Sequence, residues 1–212
     1  AKAGLRIIYV DHFWGEIVNT HGQHARNPGL AFNFETNLEV RARLEQVRDD
    51  PSGAVGMWYT ADEPSADMLP YIARMNAMWH ALDEDHPTYI VSTGDPRIES
   101  GADVFGVDVY PVYYGGRRPL TLVGDAMDKA RHGVRGRKPV IAVLQAFGEN
   151  ERHHEKPEEV RCMSYIALAH GVHGVFWYCW KETGDQTGVE GAGNHPETIR
   201  TLTDVIAEIK VF

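Results

Sequence analysis

Residues 54–82, AVGMWYTADEPSADMLPYIARMNAMWHAL, form the stretch that decides the fold class. Residues 54–59 are almost continuously apolar, which is typical of a parallel strand that is buried on both faces. Residues 65–82 carry apolar side chains at helical spacing, and Pro64 and Ser65 suit the start of a helix. The stretch therefore predicts a strand, a short turn and a helix in succession.

The same succession recurs along the whole chain. Right-handed β–α–β units of this kind build a parallel sheet, so we expect an α/β protein. Residues 94–103 leave room only for an abbreviated crossover. The predicted strands are residues 5–10, 54–59, 88–92, 104–109, 139–144 and 174–179, and the predicted helices are residues 36–48, 65–82, 118–132, 157–170 and 196–210.

Two architectures fit this alternation, the closed TIM (β/α)8-type barrel and the open doubly wound sheet. An open sheet usually carries a glycine-rich phosphate loop after its first strand, whereas Asp11, His12 and Phe13 follow the first strand here, so the barrel is favoured. A full barrel has eight units over roughly 250 residues, and only six units are recognisable in these 212 residues. We therefore expect one domain over residues 1–212 with the first two strands apparently missing. A homo-oligomer or a missing N-terminal segment would complete the barrel.

The composition excludes several classes of function. A formal net charge of -9 argues against a nucleic-acid partner, because phosphate binding needs a basic stripe. No run of about 18 apolar residues, the length of a membrane-spanning helix, is present, so no membrane association is expected. We also expect no cofactor. The first residues show no signal peptide, which leaves the localisation open.

Cysteines and histidines form no clear metal pattern. Cys162 and Cys179 make neither a disulfide framework nor a zinc motif; both are predicted to be small core residues, and whether they pair is open. His21 and His24 form one pair and residues 153–154 another, without an obvious third ligand. No metal site is predicted, and a metal-dependent hydrolase is only a third hypothesis.

Carboxylates, amides and aromatic rings cluster where the predicted strands end. In a barrel the catalytic residues come from the carboxyl ends of the strands. Sugars need this mixture, because their hydroxyls bond to carboxylates and amides while their C–H faces lie on aromatic rings. The predicted sugar-binding residues are Asp11, His12, Trp14, Trp58, Asp62, Tyr110, Gln145, Trp177, Trp180 and Glu182.

Glu63 is the sharpest catalytic candidate. It follows a buried strand and precedes a proline that can begin a helix, so its side chain is expected at the carboxyl end of the strand. The alternative is that Glu63 only complements the positive end of the next helix. Because Asp62 could do that equally well, one of the two carboxylates is available for chemistry.

Residues 58–64, WYTADEP, resemble the strand-four segment of clan-A-type (β/α)8 glycoside hydrolases, where Asn-Glu-Pro or Asp-Glu-Pro carries the acid/base glutamate. In the same order, residues 103–111 are similar to strand six, residues 138–147 to strand seven and residues 174–180 to strand eight. The resemblance makes residues 5–10 strand three and covers almost the whole chain. It implies that Glu63 is the general acid/base.

Two positions depart from the family pattern. Asp62 replaces the asparagine that binds the sugar 2-hydroxyl in those enzymes, and Gln145 stands near the place of the strand-seven nucleophile. An amide cannot attack an anomeric carbon, so the second carboxylate is open, with Glu149 and Asp108 as candidates beside Glu182.

The sequence therefore predicts a glycoside hydrolase that cleaves a poly- or oligosaccharide by two-carboxylate chemistry. A secreted or periplasmic location would suit that activity. The alternative is a non-catalytic carbohydrate-binding barrel that has lost its nucleophile, which the amide of Gln145 motivates.

Overall fold

A computed structural model describes residues 6–9, 38–112, 118–149, 156–180 and 189–210. The chain divides into two compact units, Ala1–Gly106 and Val107–Phe212. Strand β4 (Val104–Val109) starts in the first unit and ends in the second. The prediction of a single domain stays a prediction.

The first unit alternates strands and helices. It contains β1 (Ile7–Tyr9), α1 (Leu38–Arg48), β2 (Val55–Asp62), α2 (Leu69–Leu82) and β3 (Thr88–Ser92). Strand β1 pairs in parallel with β2, and β2 pairs in parallel with β3. The strand order is β1-β2-β3-β4. A short 3-10 helix, Pro96–Gly101, connects β3 to β4 and confirms the abbreviated crossover.

The second unit continues the same pattern. After β4 come α3 (Leu122–Val134), β5 (Val140–Gln145), β6 (Phe147–Glu149), α4 (Pro157–Ala169), β7 (Gly174–Tyr178), β8 (Val189–Gly191) and α5 (Pro196–Ile209). Strands β4, β5 and β7 are neighbours in that order, and β5 pairs in parallel with β7. Strands β6 and β8 form a separate antiparallel pair.

Burial follows the apolar runs most closely in three of the predicted strands. Every residue of β3, β4 and β5 is buried, as expected for strands that are covered on both faces. Each of the six predicted strands is present, and the five predicted helices begin and end within a few residues of their predicted limits. The α/β class is confirmed, while the absence of two strands from the barrel stays a prediction.

Two expectations need correction. The glycine-rich composition of residues 183–194 predicts a mobile loop, but Val189–Gly191 pairs with Phe147–Glu149 and Ala192–Asn194 forms a 3-10 turn, while residues 183–188 lie outside the described ranges. A three-residue strand is too short to show a periodic pattern in the sequence. Cys162 was predicted to lie in the core but is exposed on α4, whereas Cys179 is buried as expected. Neither cysteine forms a disulfide.

A membrane-spanning segment is not found in the described ranges, where no helix combines sufficient length with sufficient hydropathy.

Candidate functional site

The carboxyl end of β2 holds Glu63 in an unusual backbone conformation. Glu63 has φ +42°, in the left-handed region that favours glycine, and its side chain is half-buried. Its N–H donates to the carbonyl oxygen of Val91 at 2.9 Å, so the backbone of Glu63 is hydrogen-bonded to the end of β3. A left-handed conformation costs an L-residue about 1–2 kcal/mol, and such strain concentrates at functional sites.

The helix-capping explanation for Glu63 loses its support. The 3-10 turn that follows, Ala66–Met68, has Ser65 at its N-cap, and α2 has Met68 at its own. Neither Asp62 nor Glu63 occupies a cap position.

A bulge changes the direction of the last residues of β2. Tyr59 pairs with Tyr89 and Ala61 pairs with Ile90, so Thr60 is an extra residue in the register. The Thr60 side chain is buried, and its hydroxyl donates to the carbonyl oxygen of Tyr89 at 3.0 Å. The extra residue is therefore fixed in place by its own side chain.

Beyond the bulge, Tyr59 and Asp62 meet. The Tyr59 hydroxyl donates to Oδ1 of Asp62 at 2.6 Å, and the Tyr59 ring stacks on Tyr89 with centroids 5.4 Å apart. Gly106 makes space for the buried Tyr89, since a Cβ at that position would lie 2.4 Å from the Tyr89 hydroxyl oxygen. Asp62 itself is exposed. Sequence reasoning did not single out Tyr59, because three-residue spacing puts two strand residues on opposite faces unless a bulge intervenes.

Trp58 lies on the other face of β2. Its ring is fully buried and stacks on Trp79 of α2 at 4.4 Å, and its Nε1–H donates to Oδ2 of Asp83 at 2.9 Å. A sugar ring has no access to a side chain in this position. The prediction of a sugar platform at Trp58 is therefore not supported.

At the end of β3 an arginine and an aspartate are bound to each other. Asp95 accepts hydrogen bonds from Nε and Nη2 of Arg97, the latter at 2.6 Å, and its N–H donates to the Ser92 hydroxyl. The hydrogen bonds to Asp95 hold the pKa of the Arg97 guanidinium above the ordinary arginine value. The pair closes the turn into Pro96–Gly101.

In the second unit three aromatic rings gather at strand ends. Tyr110 meets Phe147 edge to face at 5.1 Å and stacks on Tyr178 at 6.2 Å. Phe147 and Tyr178 also meet edge to face at 5.6 Å. The Tyr178 side chain keeps 40% of its surface exposed. Asp108, two residues before Tyr110, is buried in β4.

Gln145 has a structural role at the end of β5. Its side chain is fully buried. Its Oε1 accepts the N–H of Val112 at 3.0 Å, and its Nε2 donates to the carbonyl oxygen of Phe147 at 3.0 Å. Both ends of the amide therefore hold backbone, which favours a positioning role over the predicted contact with a sugar.

The tryptophans after and within β7 differ in exposure. Trp177 donates from Nε1 to the Ser164 hydroxyl of α4 at 3.1 Å, so its polar edge is directed at a helix and the predicted platform is not supported. Trp180 is 64% exposed, although its backbone is held: its carbonyl oxygen accepts the N–H of Gly193 at 2.8 Å. A Cβ at Gly191 or Gly193 would come within 2.7 Å of the Trp180 carbonyl group, so glycine is required at both.

The structure says little or nothing about the remaining predicted residues. The backbone of Glu149 is described as the last residue of β6, but its side chain is not. Within the described ranges no three histidine, cysteine, aspartate or glutamate side chains gather as metal ligands do. The predicted residues outside those ranges are Asp11, His12, Trp14, His21, His24, His153, His154 and Glu182.

The fold is similar to that of several solved glycoside-cleaving enzymes. An endo-β-1,4-mannanase from Thermotoga petrophila matches 84% of the chain with a TM-score of 0.58 and 10% identity. A GH2 β-galacturonidase from Eisenbergiella tayi matches 88% with a TM-score of 0.64 and 14% identity. A β-D-glucuronidase from Dictyoglomus thermophilum matches 79% with a TM-score of 0.53 and 17% identity.

The matched region is only part of each of these enzymes. The chain spans 51% of the mannanase, 38% of the galacturonidase and 35% of the glucuronidase. No protein-family model and no curated protein matches the sequence. At these identities the likeness shows the fold alone, a TIM-barrel-like β/α fold similar to part of these glycoside-cleaving enzymes.

Proposed function

We propose that this chain is a glycoside hydrolase that cleaves a poly- or oligosaccharide, with Glu63 as the general acid/base. The observation that carries the proposal is the left-handed backbone of Glu63, a half-buried carboxylate directly after a parallel strand. Strain of this kind persists only where the surrounding structure enforces it, and it clusters at active sites and ligand clamps. The similarity of the fold to glycoside-cleaving enzymes supports the same proposal.

The chemistry requires a proton donor and a second, ionised carboxylate. Glu63 in its protonated form transfers the proton to the glycosidic oxygen as the bond to the anomeric carbon breaks. The ionised carboxylate stabilises that carbon, attacks it, or removes a proton from a water that attacks it. We propose Asp108 or Glu149 for this second role, on the strength of their places in the sequence.

The proposed sugar contacts include residues that the structure leaves exposed, one that it buries, and several that rest on the sequence alone. Asp62 is exposed beside Glu63, and Trp180 presents a largely exposed ring on a firmly held backbone, so both are available to a ligand. Tyr110 belongs to an aromatic cluster whose Tyr178 is partly exposed. Gln145, by contrast, uses both ends of its amide to bind backbone groups, so we assign it a positioning role. Four further contacts come from the sequence alone, Asp11, His12, Trp14 and Glu182.

The test compares Glu63→Gln with a matched control, Glu84→Gln. Glu84 is an exposed glutamate between α2 and β3, before a strand instead of after one. The substrates are aryl β-mannosides, β-galacturonides and β-glucuronides, which follow the enzymes of similar fold. Each sugar is offered with a poor leaving group, phenol, and with a good one, 2,4-dinitrophenol.

Loss of a general acid has a distinctive signature. Glu63→Gln should lower kcat/KM for the phenyl glycoside by about 10²–10⁴-fold, which is the usual contribution of general acid–base catalysis. The dinitrophenyl glycoside should lose far less, because its leaving group needs no proton. Glu84→Gln should keep the activity of the parent. Equal loss for both leaving groups, or undiminished turnover, would refute the role of Glu63. Binding of sugars without turnover by the parent chain would instead support the non-catalytic alternative.

A further inference from the structure

We infer that Tyr59 is a positioning residue that holds the Asp62 carboxylate beside Glu63, ready to accept a hydrogen bond from a sugar hydroxyl. The inference rests on the proposed function. It concerns a tyrosine to which the sequence pattern assigned no role, and it makes the bulge in β2 part of the site.

The bulge brings the two side chains to the same face. In a regular strand successive side chains alternate, so Asp62 would share a face with Trp58, which packs on α2. The extra residue Thr60 reverses that alternation for every residue after it. Asp62 is thereby placed on the face of Tyr59, as their 2.6 Å hydrogen bond requires.

The ring of Tyr59 is itself held in place. It stacks on Tyr89, which is buried and which fits only because Gly106 has no side chain. The hydroxyl of Tyr59 is thus presented from a fixed ring to the carboxylate of Asp62, an exposed residue. An exposed aspartate loses rotamer freedom when it binds a ligand, and a prior hydrogen bond reduces that loss.

The chemistry of the carboxylate decides which ligand groups Asp62 can bind. An ionised carboxylate only accepts hydrogen bonds, whereas the asparagine of the related motif can also donate. The bond from Tyr59 to Oδ1 fixes the orientation of this carboxylate. A group that donates, such as a sugar hydroxyl, is therefore preferred at this position over an acceptor such as a ring ether.

The test is a double-mutant cycle of Tyr59→Phe and Asp62→Ala, measured as kcat/KM on the aryl glycosides that the parent turns over. Tyr59→Phe keeps the ring and its stacking on Tyr89 and removes only the hydroxyl. The matched control is Tyr165→Phe, which removes a tyrosine hydroxyl that also donates to a carboxylate, that of Glu208, on the surface of α4 and α5.

Tyr59→Phe should lower kcat/KM about tenfold, the scale of a hydrogen bond to a charged group. In the Asp62→Ala background the same change should lower it less than about twofold, because the group that Tyr59 positions is gone. Tyr165→Phe should leave kcat/KM within about twofold of the parent. Deoxy glycosides add a second readout. Removal of the sugar hydroxyl that binds Asp62 should lower kcat/KM less in Tyr59→Phe than in the parent, whereas removal of any other hydroxyl should lower it equally in both.

Each result bears on the inference in a definite way. Equal losses from Tyr59→Phe with and without Asp62, or no loss at all, would overturn the positioning role while leaving Glu63 untouched. If Glu63→Gln removed acid catalysis in the same assays, only the inference would fail. If no glycoside were turned over or bound, the proposed function and the inference that rests on it would fail together.

Discussion

The left-handed backbone of Glu63 predicts that glycine, although it removes the carboxylate, is better tolerated there for stability than alanine. We expect Glu63→Gly to be more stable than Glu63→Ala, because glycine adopts φ +42° freely and alanine does not. The left-handed conformation costs about 1–2 kcal/mol for a residue with a Cβ. The greater freedom of glycine in the unfolded chain offsets about 0.5–1 kcal/mol of that gain.

The net difference between the two variants is therefore about 1 kcal/mol in the free energy of unfolding. For a chain of this length that corresponds to a shift in Tm of about 2–4 °C. Both variants lack the carboxylate, so neither should cleave the phenyl glycosides at a useful rate. Comparing glycine with alanine removes the loss of the glutamate side chain from the result, because both variants have lost it.

Arg135 is the matched control for this measurement. It is also a non-glycine residue with positive φ, +52°, and it caps the end of α3, where no catalytic or sugar-binding residue is proposed. Arg135→Gly should exceed Arg135→Ala in Tm by a similar amount, with the activity of the parent retained. Urea denaturation and thermal unfolding, each followed by circular dichroism, provide the measurement. If Glu63→Ala proved as stable as Glu63→Gly while the Arg135 pair differed, Glu63 would not be strained, and the main support for its role would be lost.

Two further predictions concern packing and pH in the first unit. Gly106→Ala should lower the free energy of unfolding by about 1–3 kcal/mol, because the new Cβ meets Tyr89 at 2.4 Å; Gly174→Ala, whose Cβ would have ordinary 3.6 Å contacts, should change it little, and equal effects in urea denaturation would contradict this reasoning. Burial by itself would raise the pKa of Asp83, but hydrogen bonds from Trp58 and His86 outweigh it and hold that pKa below the ordinary value. Asp83 therefore contributes stability that is present above the unfolded pKa of about 3.9 and is lost as the pH falls through the lower folded pKa. Asp83→Asn should lower stability at pH 7 by about 1–3 kcal/mol and reduce its loss in acid, whereas an unchanged acid profile would show that Asp83 is not the group responsible.

The fold could be predicted further than the site. Buried parallel strands are recognised by continuous apolar runs, and the helices between them by their 3.6-residue spacing, so the order of the elements followed directly from the sequence. The short pair β6 and β8 did not, because three residues carry no periodic signal and their pairing is a long-range contact. Glu63 was singled out because a strand end followed by proline places a carboxylate at a predictable point, and its catalytic role stays a proposal.

The direction of the aromatic side chains could not be predicted, and the same property of the strands explains why. A strand with one solvent-exposed face alternates apolar and polar residues, and this alternation identifies the two faces. A strand whose sequence is continuously apolar has no such alternation. Trp58 and Trp177 therefore looked equally suited to a ligand and to a helix, and the structure directs both toward helices. The bulge at Thr60 makes the faces of the following residues harder to predict. Threonine is an ordinary strand residue, and no neighbouring residue indicates a bulge. One unmarked residue thus decides whether Asp62 lies on the face of Trp58 or on the face of Tyr59. For that reason the test of the site is a measurement of Tyr59 and Asp62 together, and single substitutions chosen from the sequence would not reveal it.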